Sequence, residues 1–191
     1  MARRNIVLIG MPGVGKSTIG VLLAKALSRS FVDTDVFIQA KEGRTLQEII
    51  DRDGLEIFCQ IEERQVSSMK LRSTVVATGG SVVYSPATMA RLRSSGIVIH
   101  LDLDLPSLKK RLTNLPTRGV VMAPGQSIDQ LFQERLPLYR QYCDFTIDCA
   151  GCTHEEIVAK IIRRLRRLIP PSHPDRKKKE SPQRPLEKDC P

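Results

Sequence analysis

A glycine-rich segment near the N-terminus carries the residues best suited to binding phosphate. Residues 10–17 (GMPGVGKS) match the pattern G-x-x-x-x-G-K-[ST] at every fixed position, after an apolar run and before a helical pattern. In that context the glycines let several backbone N–H groups turn toward phosphate oxygens, and the helix N-terminus favours negative charge. The lysine suits bridging of the β- and γ-phosphates, and the serine hydroxyl suits ligation of Mg²⁺. The alternative is a glycine-rich turn that holds no ligand.

This loop leads us to expect a nucleoside triphosphate site, with Ser17 as a Mg²⁺ ligand. The nucleotide-binding residues expected from the motif are Gly10, Gly13, Val14, Gly15, Lys16, Ser17 and Thr18. The chain has no Asn-Lys-x-Asp guanine signature, and its 191 residues leave little room for the switch regions of a GTPase. A small kinase that acts on a small molecule fits better.

Two carboxylates follow the second predicted strand, at the edge of the sheet where the phosphate loop is also expected. In Asp33-Thr34-Asp35 the acidic residues alternate, and alternating side chains of an extended segment point to opposite sides. One carboxylate can then reach Mg²⁺ through water, while the other orients an acceptor hydroxyl and accepts its proton. The alternative is a solvated turn in which Asp35 caps the following helix.

An ordered set of motifs along residues 4–165 resembles the shikimate kinase family. The set consists of the loop at 10–17, Asp33-Thr34-Asp35, Phe58 followed by Glu62, Ala77-Thr78-Gly79-Gly80, Arg118 in a Pro/Gly-rich lid, and Arg135-x-Pro-Leu-Tyr139. The loop alone is not specific, but the ordered set is. The resemblance implies an ATP- and Mg²⁺-dependent kinase that converts shikimate to shikimate 3-phosphate for aromatic amino-acid biosynthesis.

The same resemblance implies roles on the acceptor side. Asp35 would hold the ring hydroxyls and act as the base, and Asp33 would reach Mg²⁺ through water. Arg135 would pair with the substrate carboxylate, a geometry that a planar guanidinium suits. Two glycines would let the substrate lie against the backbone. The acceptor-binding residues implied in this way are Asp35, Phe58, Cys59, Gly79, Gly80 and Arg135.

Two further arginines are implied on the nucleotide side. Arg118 would close with the lid over the phosphates and stabilise the transferred charge, which makes it the third catalytic residue beside Lys16 and Asp35. Arg111 would stack on the adenine. Each arginine also has an ordinary alternative as a surface cation, since Arg111 ends a basic helical stretch and Arg118 lies in a loop.

Three departures from the family pattern fall on the acceptor side or in the lid. Cys59 stands where the family usually has an arginine that grips the substrate carboxylate, and Ser81 stands where it has a third glycine. After Arg118 the usual Pro-Leu-Leu reads Gly-Val-Val. Arg140 is a candidate replacement for the missing cation. The alternatives are therefore a P-loop kinase for another small hydroxylated metabolite, or a non-catalytic nucleotide-binding module.

Short apolar runs alternate with helical patterns, which indicates a mostly parallel sheet covered on both faces. Strands are predicted at about 5–9, 31–32, 74–78, 97–101 and 145–148, and helices at about 16–28, 36–41, 45–51, 55–70, 86–94, 106–113, 128–142 and 153–168. The expected fold is a three-layer α/β/α sandwich with a five-stranded parallel sheet, of P-loop kinase type. Ligands of such sheets bind at the carboxyl ends of the strands.

The predicted organisation is a kinase domain at residues 1–169 and a disordered basic tail at 170–191. Within the domain we expect an acceptor-binding segment at about 35–70 and a lid at about 114–126. Of the net charge of +9, the part after residue 159 carries +7, from eleven Lys or Arg against four Asp or Glu. A solvated tail explains this better than contact with polyanions, so no specific nucleic-acid partner is expected.

Composition limits the class of protein to which the chain can belong. A hydrophobic fraction of 41% and a charged fraction of 27% are those of a globular protein, and no apolar run is long enough to span a membrane. Since the start does not read as a signal peptide, we expect a cytoplasmic protein, and a monomer, with free cysteines. A zinc site at Cys143, Cys149, Cys152 and His154 is the alternative to small apolar residues at a strand end.

Overall fold

The computed structural model of the chain describes residues 4–112, 120–123 and 125–168. Arg118, most of the predicted lid and the predicted tail lie outside the described residues. Within them, five strands form one parallel sheet in the order β2-β3-β1-β4-β5. The strands are β1 (Asn5–Ile9), β2 (Ser30–Asp33), β3 (Thr74–Ala77), β4 (Gly96–Asp102) and β5 (Phe145–Asp148).

Helices connect these strands and cover the sheet. They are α1 (Lys16–Leu27), α2 (Thr34–Glu42), α3 (Leu46–Ser68), α4 (Pro86–Ser95), α5 (Leu105–Arg111), α6 (Ile128–Tyr142) and α7 (His154–Leu168), with a short 3₁₀ helix at Val82–Tyr84. The sequence predicted every one of the seven α-helices to within a few residues, although it divided α3 into two. That helix has a break at Gly54, whose φ of 86° and ψ of 166° are not helical.

The central strands show that the sheet is covered on both faces. Every residue of β1 and β3, and all but the last of β4, is buried. Because successive side chains of a strand point to opposite faces, continuous burial requires a helical layer on each side. The predicted three-layer α/β/α sandwich with a five-stranded parallel sheet is therefore confirmed.

The segment after β2 differs from the extended conformation that the sequence predicted. Asp33 ends the strand, and its Oδ1 accepts hydrogen bonds from the backbone N–H groups of Asp35 and Val36, at 3.0 and 3.3 Å. These bonds cap α2, so Asp35 lies in the first turn of the helix. The prediction of alternating, extended carboxylates is wrong, and so is the alternative in which Asp35 is the cap.

A second, smaller hydrophobic cluster lies apart from the main core. It consists of Ile38, Leu46, Ile49, Phe58, Ile61 and Val121. Five of these residues come from α2 and α3, the segment where acceptor binding was predicted. The cluster gives this part of the chain its own packed interior, which fixes the inner face of α3 in position.

One stability prediction follows from the close pairing of β1 with β4. In Gly96→Ala the new Cβ would lie 2.4 Å from the carbonyl oxygen of Asn5, a backbone atom that cannot move without disturbing the strand pair. We expect the free energy of unfolding to fall by about 1–3 kcal/mol, measured by urea denaturation. Ser95→Ala is the neighbouring control, with an expected change below about 0.5 kcal/mol. An unchanged urea midpoint in Gly96→Ala would contradict this close approach.

Candidate active site

A cavity of about 680 Å³ opens at the carboxyl ends of the central strands. Its walls come from the loop after β1, from α1, α2 and α3, from the loop after β3, and from the starts or ends of later elements. The lining residues are Pro12, Gly13, Gly15, Lys16, Ser17, Thr18, Asp35, Leu46, Phe58, Thr78, Gly79, Gly80, Ser81, Arg111, Val120, Val121, Arg135 and His154. Residues predicted for the nucleotide and for the acceptor thus face one space.

The glycine-rich loop ends at the N-terminus of α1 in a form that suits an anion. Gly15 adopts a left-handed conformation with φ of 104°, and no side chain caps the helix, so its first N–H groups are not occupied by a capping oxygen. The Lys16 Nζ donates to the carbonyl oxygens of Gly10 and Met11 at 2.8 and 2.9 Å, which draws the lysine across the loop. Exposed backbone N–H groups beside a lysine fit the phosphates of a nucleotide.

The oxygen ligands expected for Mg²⁺ fit the same end of the site. Ser17 is exposed and lines the cavity, so its hydroxyl is free to face a ligand. Asp33 is not among the lining residues; its Oδ1 caps α2, and its Oδ2 is the oxygen that would accept from a metal-bound water. Among the described residues no group of three or more His, Cys, Asp or Glu is arranged to hold a metal ion. Mg²⁺ usually takes only one or two protein ligands beside phosphate and water, so this donor set suits it.

Asp35 meets a second carboxylate, Glu62, beside Gly79. A Cβ on Gly79 would lie 2.5 Å from Glu62 Oε1 and 2.7 Å from Asp35 Oδ1. Glycine is therefore required at this position, because any side chain would displace one of the two acids. Both of these oxygens are buried and have no hydrogen-bond partner within the described part of the chain.

Arg135 forms the opposite wall. Its side chain is only 1% exposed, although it lines the cavity. The Nε donates to the Tyr84 hydroxyl at 3.0 Å, the Nη2 donates to the Val121 carbonyl, and the guanidinium lies over the Tyr84 ring at 4.9 Å from its centroid. These contacts hold a buried guanidinium in a fixed orientation, and no carboxylate within the described residues forms a salt bridge with it.

Hydrogen bonds from three directions fix the loop between these charges. The Thr78 hydroxyl donates to the Leu8 carbonyl at 3.0 Å, and the Gly79 N–H donates to the Thr34 hydroxyl at 2.9 Å. The Tyr139 hydroxyl donates to the Gly80 carbonyl at 2.8 Å. A backbone held in this way offers a firm surface against which a small substrate can lie.

Burial shifts the pKa of three charged groups in this wall. It raises the pKa of Asp35 to about 6, with the charge of Asp33 acting in the same direction and that of Lys16 against it. It raises the pKa of Glu62 to about 7, again with help from a neighbouring charge, that of Asp35. It lowers the pKa of Lys16 to about 8, although the charge of Asp35 opposes this. Shifts of this kind are typical of functional sites.

The nucleotide side contains one residue that the sequence did not point to. Arg111 lines the cavity as expected for a residue near the adenine, and its Nη1 donates to the Val14 carbonyl at 3.4 Å. His154, the first residue of α7, also lines the cavity and lies close to Gly15, with its Nε2 3.5 Å from the position of a Cβ there. No local sequence pattern predicts that His154 lies close to Gly15, because this contact depends on how α7 packs.

Several residues named from the sequence do not line the cavity. Cys59 follows the cavity-lining Phe58 but is not itself among the lining residues, and neither is the exposed Arg140. Cys149 is buried in the main core, as expected for a small apolar residue at a strand end. The Cys152 thiol accepts a hydrogen bond from Lys160 at 3.0 Å.

The double use of Asp33 gives a stability prediction. Asp33→Ala removes the oxygen that caps α2, and we expect it to lower the free energy of unfolding by about 1 kcal/mol in urea denaturation. Asp33→Asn keeps a capping oxygen and should remain close to the wild type. Any loss of activity in Asp33→Asn then reports the missing charge and not a disturbed helix. An unchanged free energy of unfolding in Asp33→Ala would show that the cap is unimportant.

Comparison with known proteins shows the family to which the chain belongs. A family model described as "Shikimate kinase" matches residues 12–166. A shikimate kinase of Thermodesulfovibrio yellowstonii is 38% identical over 168 residues, which cover 86% of this chain and 96% of the relative. A shikimate kinase 2 of Enterobacter sp. is 36% identical over 166 residues, covering 84% and 95%.

Among solved structures, the shikimate kinase of Acinetobacter baumannii in complex with shikimate is similar to this fold. The TM-score is 0.79 at 29% identity, over 85% of this chain and 92% of that one. This chain belongs to the shikimate kinase family.

Proposed function

We propose that this chain is an ATP-dependent shikimate kinase, which phosphorylates the 3-hydroxyl of shikimate to give shikimate 3-phosphate and ADP. The observation that carries this proposal is the pairing of Asp35 and Arg135 across one cavity that also contains the phosphate-binding loop. A carboxylate for hydroxyls and a buried cation for a carboxylate match the two kinds of polar group in shikimate. The Acinetobacter baumannii relative, which has a similar fold, was solved with shikimate bound.

On the acceptor side, Asp35 orients the reacting hydroxyl and accepts its proton as the bond to phosphorus forms. Its position in the first turn of α2 holds it beside the loop after β3. Arg135 binds the substrate carboxylate with the guanidinium N–H groups that its contacts to Tyr84 and Val121 leave available. Phe58, Gly79 and Gly80 provide the surface on which the ring lies.

On the nucleotide side, Lys16 and the first N–H groups of α1 hold the phosphates. Ser17 and, through water, Asp33 would hold Mg²⁺, which neutralises charge on the phosphates when bound. Arg111 stacks on the adenine. Arg118, which lies outside the described residues, closes with the lid at about 114–126 and stabilises the charge on the transferred group.

The wider organisation also remains a proposal. It comprises a kinase domain at 1–169, its acceptor-binding segment at about 35–70, a basic tail at 170–191 that takes no part in catalysis, a monomeric state and a cytoplasmic location. Among the described residues, no helix is both long enough and apolar enough to cross a membrane. Truncation after residue 169 tests the role of the tail, with unchanged turnover expected.

The direct test is release of ADP, measured in a coupled assay with ATP, Mg²⁺ and a panel of acceptors over a wide concentration range. Turnover that is specific to shikimate supports the proposal, even at a high KM. The panel includes other small polyols, sugar acids and nucleotides. Turnover with one of these alone, or slow ATP hydrolysis alone, would overturn it.

Two substitutions separate nucleotide binding from transfer. Lys16→Ala should remove nearly all turnover, because the phosphates lose their main cation. Asp35→Asn should abolish transfer but leave nucleotide binding within about twofold, because the amide cannot accept the proton. Nucleotide binding is measured by titration calorimetry and turnover by the coupled assay. Normal turnover in Asp35→Asn would show that the acceptor base has been assigned wrongly.

Substitution of Cys59 tests whether shikimate is the acceptor. Burial and the charge of Glu62 raise the pKa of this thiol, so it stays neutral and does not replace the positive charge of the family's arginine. Cys59→Arg adds a guanidinium close to Arg135, and we expect the KM for shikimate to fall by about tenfold. Gln60→Arg places the same charge on the exposed neighbour and should leave the KM unchanged. A higher KM in Cys59→Arg would indicate a pocket rebuilt for another acceptor.

A further inference from the structure

Ser81 and Glu62 form a buried pair directly behind the acceptor wall. The Ser81 hydroxyl donates to Glu62 Oε2 at 2.8 Å, and the two residues are 4% and 3% exposed. Ser81 follows the two glycines of the loop after β3, whereas Glu62 lies on the inner face of α3. Within the described residues this hydroxyl is the hydrogen-bond donor that reaches the Glu62 carboxyl.

The other oxygen of Glu62 lies beside Gly79, as does one carboxylate oxygen of Asp35. Glu62 Oε1 and Asp35 Oδ1 both lie within 2.7 Å of the point that a Cβ on Gly79 would occupy, and neither has a hydrogen-bond partner among the described residues. Two carboxylate oxygens without donors are costly to bury. One proton on Glu62 Oε1 would remove a charge from this space and give Asp35 Oδ1 a donor.

We propose that Ser81 and Glu62 together position Asp35. Ser81 occupies Oε2 of Glu62, so that Glu62 carries its proton on Oε1, toward Oδ1 of Asp35. Asp35 is then held from one side, and its Oδ2 is left to receive the acceptor hydroxyl. Ser81 and Glu62 are positioning residues, since they act on the reaction through Asp35. The inference rests on the proposed kinase activity.

The charges around Glu62 favour this protonation state. Its pKa is raised to about 7 by burial and by the charge of Asp35, whereas the Ser81 hydrogen bond and the charges of Arg135 and Lys16 lower it. Cys59, on the same helix, supplies no positive charge. Glu62 thus keeps its proton up to about pH 7, and positioning of Asp35 weakens as the pH rises through that value.

The chain offers a matched control next to this pair. The Ser85 hydroxyl donates to Glu63 Oε2 at 2.8 Å, which is the same contact at the same distance, but Glu63 is exposed. Neither Ser85 nor Glu63 lines the cavity. Because the Ser85 hydroxyl also caps α4, the control is Glu63→Ala, which removes an equivalent hydrogen bond outside the site and leaves that cap in place.

The first part of the test is a double-mutant cycle, with the KM for shikimate and for ATP measured in the coupled assay. Ser81→Ala should raise the KM for shikimate by about five- to tenfold and leave the KM for ATP within about twofold. Glu62→Ala should raise the KM for shikimate at least as much, and adding Ser81→Ala to Glu62→Ala should cause no further change in this KM. Glu63→Ala should leave both values unchanged.

The second part is the pH profile of kcat/KM for shikimate. If Ser81 and Glu62 had a purely structural role, substituting them would not shift this profile. In the wild type we expect a decline as the pH rises through about 7. Ser81→Ala should shift the decline to higher pH, because Glu62 loses the bond that lowers its pKa. Glu62→Gln, which carries a permanent N–H donor of the same shape, should stay active and lose the decline.

Three results would overturn the inference. They are additive effects of Ser81→Ala and Glu62→Ala, a pH profile unchanged in Glu62→Gln, and wild-type kinetics in Ser81→Ala. If urea denaturation shows that Ser81→Ala is not folded, the pH profile of Glu62→Gln alone decides the test. Failure of the proposed function is distinct, since the wild type would then not phosphorylate shikimate at all.

Discussion

Four ionisable side chains lie largely out of water around one cavity, and the attraction between the opposite charges among them reduces the cost of burying them. They are Lys16, Asp35, Glu62 and Arg135, two cations and two acids. Burial opposes the charged form of Lys16, Asp35 and Glu62, whereas the cations of the set favour ionised acids and the acids favour a charged Lys16. Because removing one member leaves an opposite charge buried without compensation, this set behaves as a unit.

The rest of the architecture serves to bring these four side chains together. They come from four different helices, α1, α2, α3 and α6. The parallel strands place the starts of α1 and α2, which carry Lys16 and Asp35, at one edge of the sheet, whereas Glu62 and Arg135 reach this edge from within α3 and α6. Two glycines after β3 then allow the acids and the guanidinium to approach the backbone more closely than any Cβ would permit. Tyr139 and Thr34 fix that backbone by hydrogen bonds to its polar groups.

Much of this was predictable from the sequence, and the exceptions share a physical cause. The bounds of β1, β5 and α6 follow from apolar periodicity and capping residues, which are local signals. Asp35 was misplaced because a side-chain cap from Asp33 starts the helix at once after β2. Glu62 and Glu63 look alike in sequence, yet one is buried and the other exposed, because only tertiary packing decides which face of α3 turns inward. His154 reaches the phosphate loop for the same reason.

The central position of β1 has a consequence for the order in which the strands of the sheet pair during synthesis. β1 pairs with residues 75–77 and 96–100 and not with β2, the strand that follows it in the chain. During synthesis from the N-terminus, the strand that carries the phosphate-binding loop is therefore the first to emerge and among the last to find both neighbours. Contacts so distant in sequence slow folding. Until β4 has been synthesised, one edge of the apolar strand β1 therefore has no partner strand.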